Sequence, residues 1–221
     1  MKIDMILPSA GSSTRFESDI KKQFYMLDSQ PVIVRTVKQC LQCSFIDSVI
    51  VVAAENDIEK TENLFENYSN VYCAIGGRTR SQSVINGLEA SDSDMVFVHD
   101  GARPFINSDF IEDIMNAYRD GSIVMPYVRP VETVRYMTES SINSLDRDRV
   151  MLIQTPQYTS RALLLGIMKD ALTRGIEFTD EAGFLADAGR EIVPVKGRDY
   201  NIKITKRSDI LLGESILKEL M

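Results

Sequence analysis

The stretch Ile3-Asp4-Met5-Ile6-Leu7, running straight into Pro8-Ser9-Ala10-Gly11-Ser12-Ser13-Thr14-Arg15-Phe16-Glu17-Ser18-Asp19-Ile20-Lys21-Lys22, decides how the chain is read. Met5-Ile6-Leu7 is short, apolar and bounded by polar residues, which predicts a buried strand. The small residues after it, Ala10, Gly11, Ser12 and Ser13, let a backbone come close to a ligand and present its N–H groups. Arg15 and Lys22 add two spaced cations. Donors and cations together make a cradle for a polyphosphate. On this segment alone a solvated surface loop is an equally good reading, so the rest of the chain has to decide.

Outward from that strand the pattern repeats. Val49 to Ala54, Val71 to Ile75, Met95 to Val98, Ser122 to Pro126 and Ile192 to Val195 all read as short buried strands. Helical spacing separates them: Ile33, Val34, Val37 and Leu41 through Cys43 with Pro31 suited to a first turn, then Asp57 to Tyr68, Arg80 to Glu89, Phe110-Ile114-Tyr118, Ser160 to Arg174, Glu181 to Ala188 and Asp209 to Leu220. Strands alternating with helices predict an α/β fold with a mainly parallel, twisted sheet covered on both faces. Such sheets bind ligands at the carboxyl ends of their strands. Pro8, Gly76 and His99 fall at those ends.

The alternation breaks between Val128 and Asp148. Val131 to Tyr136 alternates like a strand, Glu139-Ser140-Ser141 supplies a turn, and Ile142 to Leu145 makes a weak return. This predicts a projecting hairpin, too small to bury a core alone and therefore expected to pack on a partner subunit. With no linker, repeat or low-complexity tract, the chain reads as one domain, 1–221, carrying a dimerisation arm at about 129–149.

Composition narrows the class. The chain has 221 residues, 44% apolar and 26% charged, which is ordinary globular usage. Its formal net charge of −7 argues against a general nucleic-acid binder. No apolar run approaches the roughly 20 residues of a membrane span. Asp4 sits where a signal peptide needs its apolar core, so a cytoplasmic location is expected. Cys40 and Cys43 have C-x-x-C spacing but lie in a helical pattern without a second pair, which favours core packing over redox or metal chemistry. The single histidine, His99, excludes a multi-histidine metal site and reads as a packing residue.

Two further strand ends carry chemistry. Gly76-Gly77-Arg78-Thr79-Arg80-Ser81-Gln82-Ser83 turns into a helix, whose N-terminus with Ser81 and Ser83 can present hydroxyls and backbone donors to a base or ribose; a capped helix start with solvated arginines is the plainer reading. His99-Asp100-Gly101-Ala102-Arg103-Pro104 places an acid at a strand end facing the phosphate loop, a position suited to Mg²⁺. Thr155-Pro156-Gln157 reads by itself as a turn before a helix. Thr179-Asp180-Glu181 reads as an N-cap, and Lys203 as a solvated strand residue.

Taken together, Ala10-Gly11-x-x-x-Arg15, Lys22-Gln23, Gly76-Gly77-x-x-Arg80-x-x-Ser83-Val84, His99-Asp100-x-Ala102-Arg103-Pro104, Thr155-Pro156-Gln157, Thr179-Asp180-Glu181-Ala182 and Asn201-Ile202-Lys203-Ile204-Thr205 resemble the 2-C-methyl-D-erythritol 4-phosphate cytidylyltransferases over nearly the whole chain. The resemblance implies a three-layer, Rossmann-like nucleotidyltransferase fold. It implies transfer of a cytidylyl group from CTP to a small polyol phosphate, with release of pyrophosphate, in non-mevalonate isoprenoid precursor synthesis. By resemblance Arg15, Lys22 and Lys203 are catalytic, and Ala10, Gly11, Ser12, Gly76, Arg80 and Ser83 bind CTP. Arg103, Thr133, Arg147, Thr155 and Lys203 bind the acceptor, Asp100 holds Mg²⁺, and the arm of a homodimer carries Thr133 and Arg147 into the partner's site.

A close relative acting on ribitol 5-phosphate for cell-surface polymers is the alternative, although Asp100-Gly101-Ala102-Arg103 and the compact Thr179 to Gly189 segment look more like the methylerythritol branch. A non-catalytic nucleotide-binding homologue is a third reading. The chain departs from the family's usual pattern in four places. Ser9 stands for an alanine, Lys21 for a proline and Gly101 for an alanine or serine, while Glu132-Thr133-Val134-Arg135 replaces an arm motif of Asp-Thr followed two residues later by Lys.

Overall fold

The computed structural model describes residues 1–16 and 18–220; Glu17, inside the glycine-containing loop, and Met221 lie outside the described residues. In chain order the elements are β1 (Ile3–Pro8), β2 (Met26–Leu27), β3 (Gln30–Pro31), α1 (Val32–Leu41), β4 (Ser48–Ala53), α2 (Ile58–Phe65), β5 (Val71–Ile75), α3 (Arg80–Ala90), β6 (Met95–Val98) and α4 (Ser108–Asn116). They continue with β7 (Ile123–Val128), β8 (Arg135–Met137), β9 (Ile142–Ser144), β10 (Leu152–Ile153), β11 (Gln157–Ser160), α5 (Arg161–Thr173), α6 (Glu181–Asp187), β12 (Ile192–Lys196) and α7 (Ser208–Leu220).

Among the described residues, eight strands form one sheet in the order β10-β7-β11-β6-β1-β4-β5, with β12 also pairing β7. β1 lies in its interior, paired in parallel with β4 and β6. Alternation along these strands divides two cores. Met5, Leu7, Val49, Val51 and Phe97 face α1, α2 and α4, while Ile6, Ile50, Val52, Val96 and Val98 face α3, α5 and α6. The result is the expected three-layer α/β fold with a mainly parallel sheet. Cys40 and Cys43 are free, buried in the first of these cores, as their helical setting predicted.

Three readings are corrected. Thr155-Pro156-Gln157 is not a turn leading directly into a helix. Gln157–Ser160 is a strand, antiparallel to β6 and meeting β7 in the same sense, and it inserts between them. Its polar residues Gln157 and Thr159 are buried with side-chain partners, so hydropathy alone concealed it. Pro31 belongs to β3 and precedes the first turn of α1, and the small β2–β3 hairpin gave no periodic signal over its two-residue strands. In the arm, pairing is confined to Arg135–Met137 with Ile142–Ser144; Val131 to Val134 lies outside the ladder.

A third cluster, Phe16, Leu27, Val32, Ala102, Phe105, Ile204, Ile210 and Leu217, joins the loop after β1 to α7. It anchors the floor on which the site is built.

Candidate active site

The carboxyl ends of β1 and β6 and the turn after β5 open on one side of the sheet, where their loops enclose a cavity of about 380 Å³. Ala10, Gly11, Ser12, Lys22, Gly77, Arg78, Arg80, Ser83, Asp100 and Lys203 all line it. Among the described residues, four cations and a single carboxylate line it, in a chain whose net charge is −7. A second cavity of about 200 Å³ adjoins it, sharing Arg80, Asp100 and Lys203 and adding Arg103, Thr155, Gln157, Thr179 and Asp180.

The loop after β1 is held by side chains rather than by regular structure. Ser13 adopts φ +58°, and its hydroxyl accepts from Lys22 N at 3.2 Å and donates to Gln23 Oε1 at 3.1 Å. Gln23, itself buried, donates from Nε2 to Ser9 O at 3.0 Å. Lys22 is thereby turned into the cavity. Burial, reinforced by the nearby charges of Lys203, Arg15 and Arg103 against the pull of Asp100, lowers its ammonium pKa to about 8. Lys21 points elsewhere and pairs with Asp57 Oδ2 at 2.6 Å.

Gly76 lines neither cavity; it lets two loops meet. A Cβ there would stand 2.6 Å from Ala10 Cβ and 2.9 Å from Ser83 Oγ. Ser83 fastens the turn, accepting from Gly77 N at 3.1 Å and donating to Thr79 O at 2.9 Å. Thr79 caps α3 by accepting from Gln82 N.

Asp100 is buried among cations: Lys203 Nζ at 2.9 Å, Arg103 Nε at 3.1 Å and Arg80 Nη2 at 3.6 Å. Burial alone would raise its pKa, but these three charges outweigh it and hold the carboxyl well below the usual range. Behind it runs a hydrogen-bond chain. Asp100 N donates to Thr155 Oγ1, which donates to His99 Nδ1, while Nε2–H of His99 donates to Arg103 O at 2.9 Å. Burial pushes the His99 pKa down to about 4. The ring is therefore a neutral spacer, in keeping with its reading as a packing residue.

Among the described residues no group of three or more His, Cys, Asp or Glu is placed to hold a metal ion. The donors nevertheless fit Mg²⁺ in its common arrangement, with one carboxylate from the protein and the remaining shell from phosphate oxygens and water. Asp100, ionised and lining the cavity, is the carboxylate that would hold it.

Besides Gly76, three of the residues named from sequence stand apart from the cavities. Arg15 is exposed on a 3₁₀ turn of the loop. Thr133 and Arg147 are exposed in the arm, where Arg147 donates to Val131 O at 2.8 Å. Conversely, sequence reasoning assigned no role to Gln23, Gly77, Arg78, Gln157, Thr179 or Asp180, which line the cavities. Gly77 and Arg78 were signalled by the glycine turn and Thr179 and Asp180 by their motif; Gln157 gave no sign of being buried.

Comparison with known proteins gives the family. The family model for 2-C-methyl-D-erythritol 4-phosphate cytidylyltransferase (IspD) matches residues 3–219. An enzyme of that name from Clostridium novyi (strain NT) is 35% identical, covering 97% of this chain and 96% of its own, and one from Clostridium botulinum (strain 657 / Type Ba4) is 32% identical over 99% of both. Among solved structures, 4-diphosphocytidyl-2C-methyl-D-erythritol synthase from Anaerococcus prevotii DSM 20548 superposes with a TM-score of 0.86 at 27% identity, covering 98% of each chain. A family match over nearly the whole length, on a cation-lined cleft at the carboxyl edge of a nucleotidyltransferase sheet, means that the chain belongs to the 2-C-methyl-D-erythritol 4-phosphate cytidylyltransferase family.

Proposed function

We propose that this protein transfers the cytidylyl group of CTP to 2-C-methyl-D-erythritol 4-phosphate in the synthesis of isoprenoid precursors. An acceptor phosphate oxygen attacks the α-phosphorus of CTP in line. A new P–O bond forms as the bond to the β-phosphate bridging oxygen breaks, giving the CDP-polyol and pyrophosphate. A phosphate monoester is already anionic near neutral pH, so the attack needs no general base. What it needs is positioning and charge neutralisation.

The observation that carries this reading is the pair of adjoining cavities sharing Arg80, Asp100 and Lys203, one sized and charged for a nucleotide and the other for a smaller phosphate. In this reading Ala10, Gly11, Ser12, Arg80 and Ser83 bind CTP over the Gly76-Gly77 turn. Lys22, Arg15 and Lys203 neutralise the transition state and the leaving pyrophosphate. Arg103, Thr155 and Lys203 hold the acceptor. Asp100 holds Mg²⁺, which when bound supplies charge neutralisation on the phosphates.

The second subunit of a homodimer supplies Thr133 and Arg147 through the arm. Its exposed apolar side chains Val131, Tyr136, Met137 and Ile142 are what such a partner would cover. The setting is cytoplasmic.

The test is pyrophosphate release from CTP with 2-C-methyl-D-erythritol 4-phosphate and, separately, ribitol 5-phosphate, each with and without Mg²⁺. Turnover with the first acceptor, dependent on the metal, is expected. Preference for ribitol 5-phosphate overturns the acceptor assignment, and no turnover with either overturns the enzymatic reading.

A further inference from the structure

Glu181 opens α6 and is completely buried. A carboxylate withdrawn from water is strongly unfavourable unless it is paired and hydrogen-bonded. Its side-chain partner is Arg80, 101 residues away in sequence, which donates from Nη1 to Oε1 at 2.6 Å and from Nη2 to Oε2 at 3.3 Å. Burial pushes the Glu181 carboxyl up and the arginine pulls it back.

Arg80 is the residue this contact fixes. Its guanidinium lines both cavities and stands 3.6 Å from Asp100. That is farther than its contact with Glu181, and Asp100 already has Lys203 and Arg103 at shorter range. The fork is therefore held from behind, by Glu181. Among the described residues its hydrogen bonds to Glu181 use two of its five N–H donors, and the guanidinium lines the junction of the cavities with the rest.

We infer that Glu181 is a positioning residue that locks the Arg80 guanidinium into the wall shared by the two cavities, where phosphate oxygens of nucleotide and acceptor meet. Glu181 lines neither cavity, so it acts through Arg80 and not on substrate. The inference rests on reading the cleft as the cytidylyl-transfer site.

The experiment compares steady-state turnover and thermal unfolding for the full chain, Glu181→Gln, Arg80→Gln and the double variant. Glu181→Gln keeps the side chain's size and removes its charge. Its kcat is expected to fall about 10²-fold, the scale of a misplaced catalytic contact. The double variant is expected to match Arg80→Gln within about twofold, because residues acting as one unit are non-additive. Independent, multiplying losses overturn the proposal, as does an unchanged kcat in Glu181→Gln with only a lowered Tm.

If Glu181→Gln does not fold, Arg80→Gln against the double variant decides, since the double variant buries no unpaired charge. A full chain without any turnover defeats the transfer reading itself. The same four proteins are then compared by calorimetric CTP affinity, where additive losses again overturn the positioning role.

Discussion

The hydroxyl of Ser9 occupies the space a side chain at Gly101 would enter: a Cβ built on Gly101 stands 2.1 Å from Ser9 Oγ and 2.9 Å from Ile33 Cδ1. Two departures from the family's usual residues, at the ends of adjacent strands, are thus one compensated exchange. Gly101→Ala forces the Ser9 hydroxyl to rotate away from its 3.3 Å bond to Leu7 O, or forces the loop to shift. A cost of about 1–3 kcal/mol is expected, the usual scale of overpacking. Thermal unfolding should show a lower Tm for Gly101→Ala and recovery in Ser9→Ala/Gly101→Ala. Equal losses in both proteins would disprove the compensation.

Lys21 and Lys22 are adjacent but face different partners, Asp57 and the cavity respectively. Lys22→Ala is expected to lower kcat by about 10²–10³-fold, as removal of one preorganised charge-stabilising group does. Lys21→Ala, which only frees the loop from α2, should cost less than about tenfold, and Asp57→Asn should match it. Pyrophosphate release by the three variants checks the order. A greater loss in Lys21→Ala would mean that Lys21 is the lysine serving the phosphates.

The Lys22 pKa of about 8 gives the reaction an alkaline limb. The ammonium is present below that pH and lost above it, so kcat/KM for CTP should fall as pH rises through about 8, because this parameter reports the free enzyme. Bound triphosphate favours the charged form, so kcat at saturating CTP should hold to higher pH. Lys22→Arg should remove the limb from the kcat/KM profile; its persistence would assign it to another group.

His99, held at about 4 in the folded chain against 6.5 as its reference value, makes the fold acid-sensitive. The unfolded chain takes up a proton that the folded chain refuses, so stability falls as pH drops from about 6.5 toward 4. The loss is roughly 3 kcal/mol by linkage. Urea unfolding at pH 7 and pH 4.5 measures it, and His99→Gln should flatten the difference. A slope unchanged in that variant would place the acid sensitivity in the carboxylates.

If the arm completes the partner's site, mixed dimers should show it. Lys22→Ala and Arg147→Ala are each expected to be impaired alone. Co-refolding them in equal amounts should restore roughly a quarter of full activity, since half the dimers are mixed and each holds one intact site. No recovery, with dimers present by light scattering, would place Arg147 outside the partner's site.

The main strands and helices were legible because burial on both faces writes continuous apolar runs for strands and a 3.6-residue period for helices. β11 was not, because Gln157 and Thr159 are buried polar residues satisfied by Asp180, Ala182 and Ser122, partners that no local pattern reveals. The same limit applied to Gln23, whose hydrogen bonds shape the loop but which looks like any surface glutamine.

By itself the sequence determined the layered α/β architecture, the three glycine or acid motifs at strand ends, and through their resemblance the family. These are local signals, set by side-chain size and periodicity. Only the tertiary structure decided that Lys21 pairs with Asp57, that Ser9 and Gly101 fit one another, and that Glu181 lies behind Arg80. Each depends on which side chains meet after distant segments pack. Charge and hydrogen-bond partners separated by tens of residues leave no periodic trace along the chain.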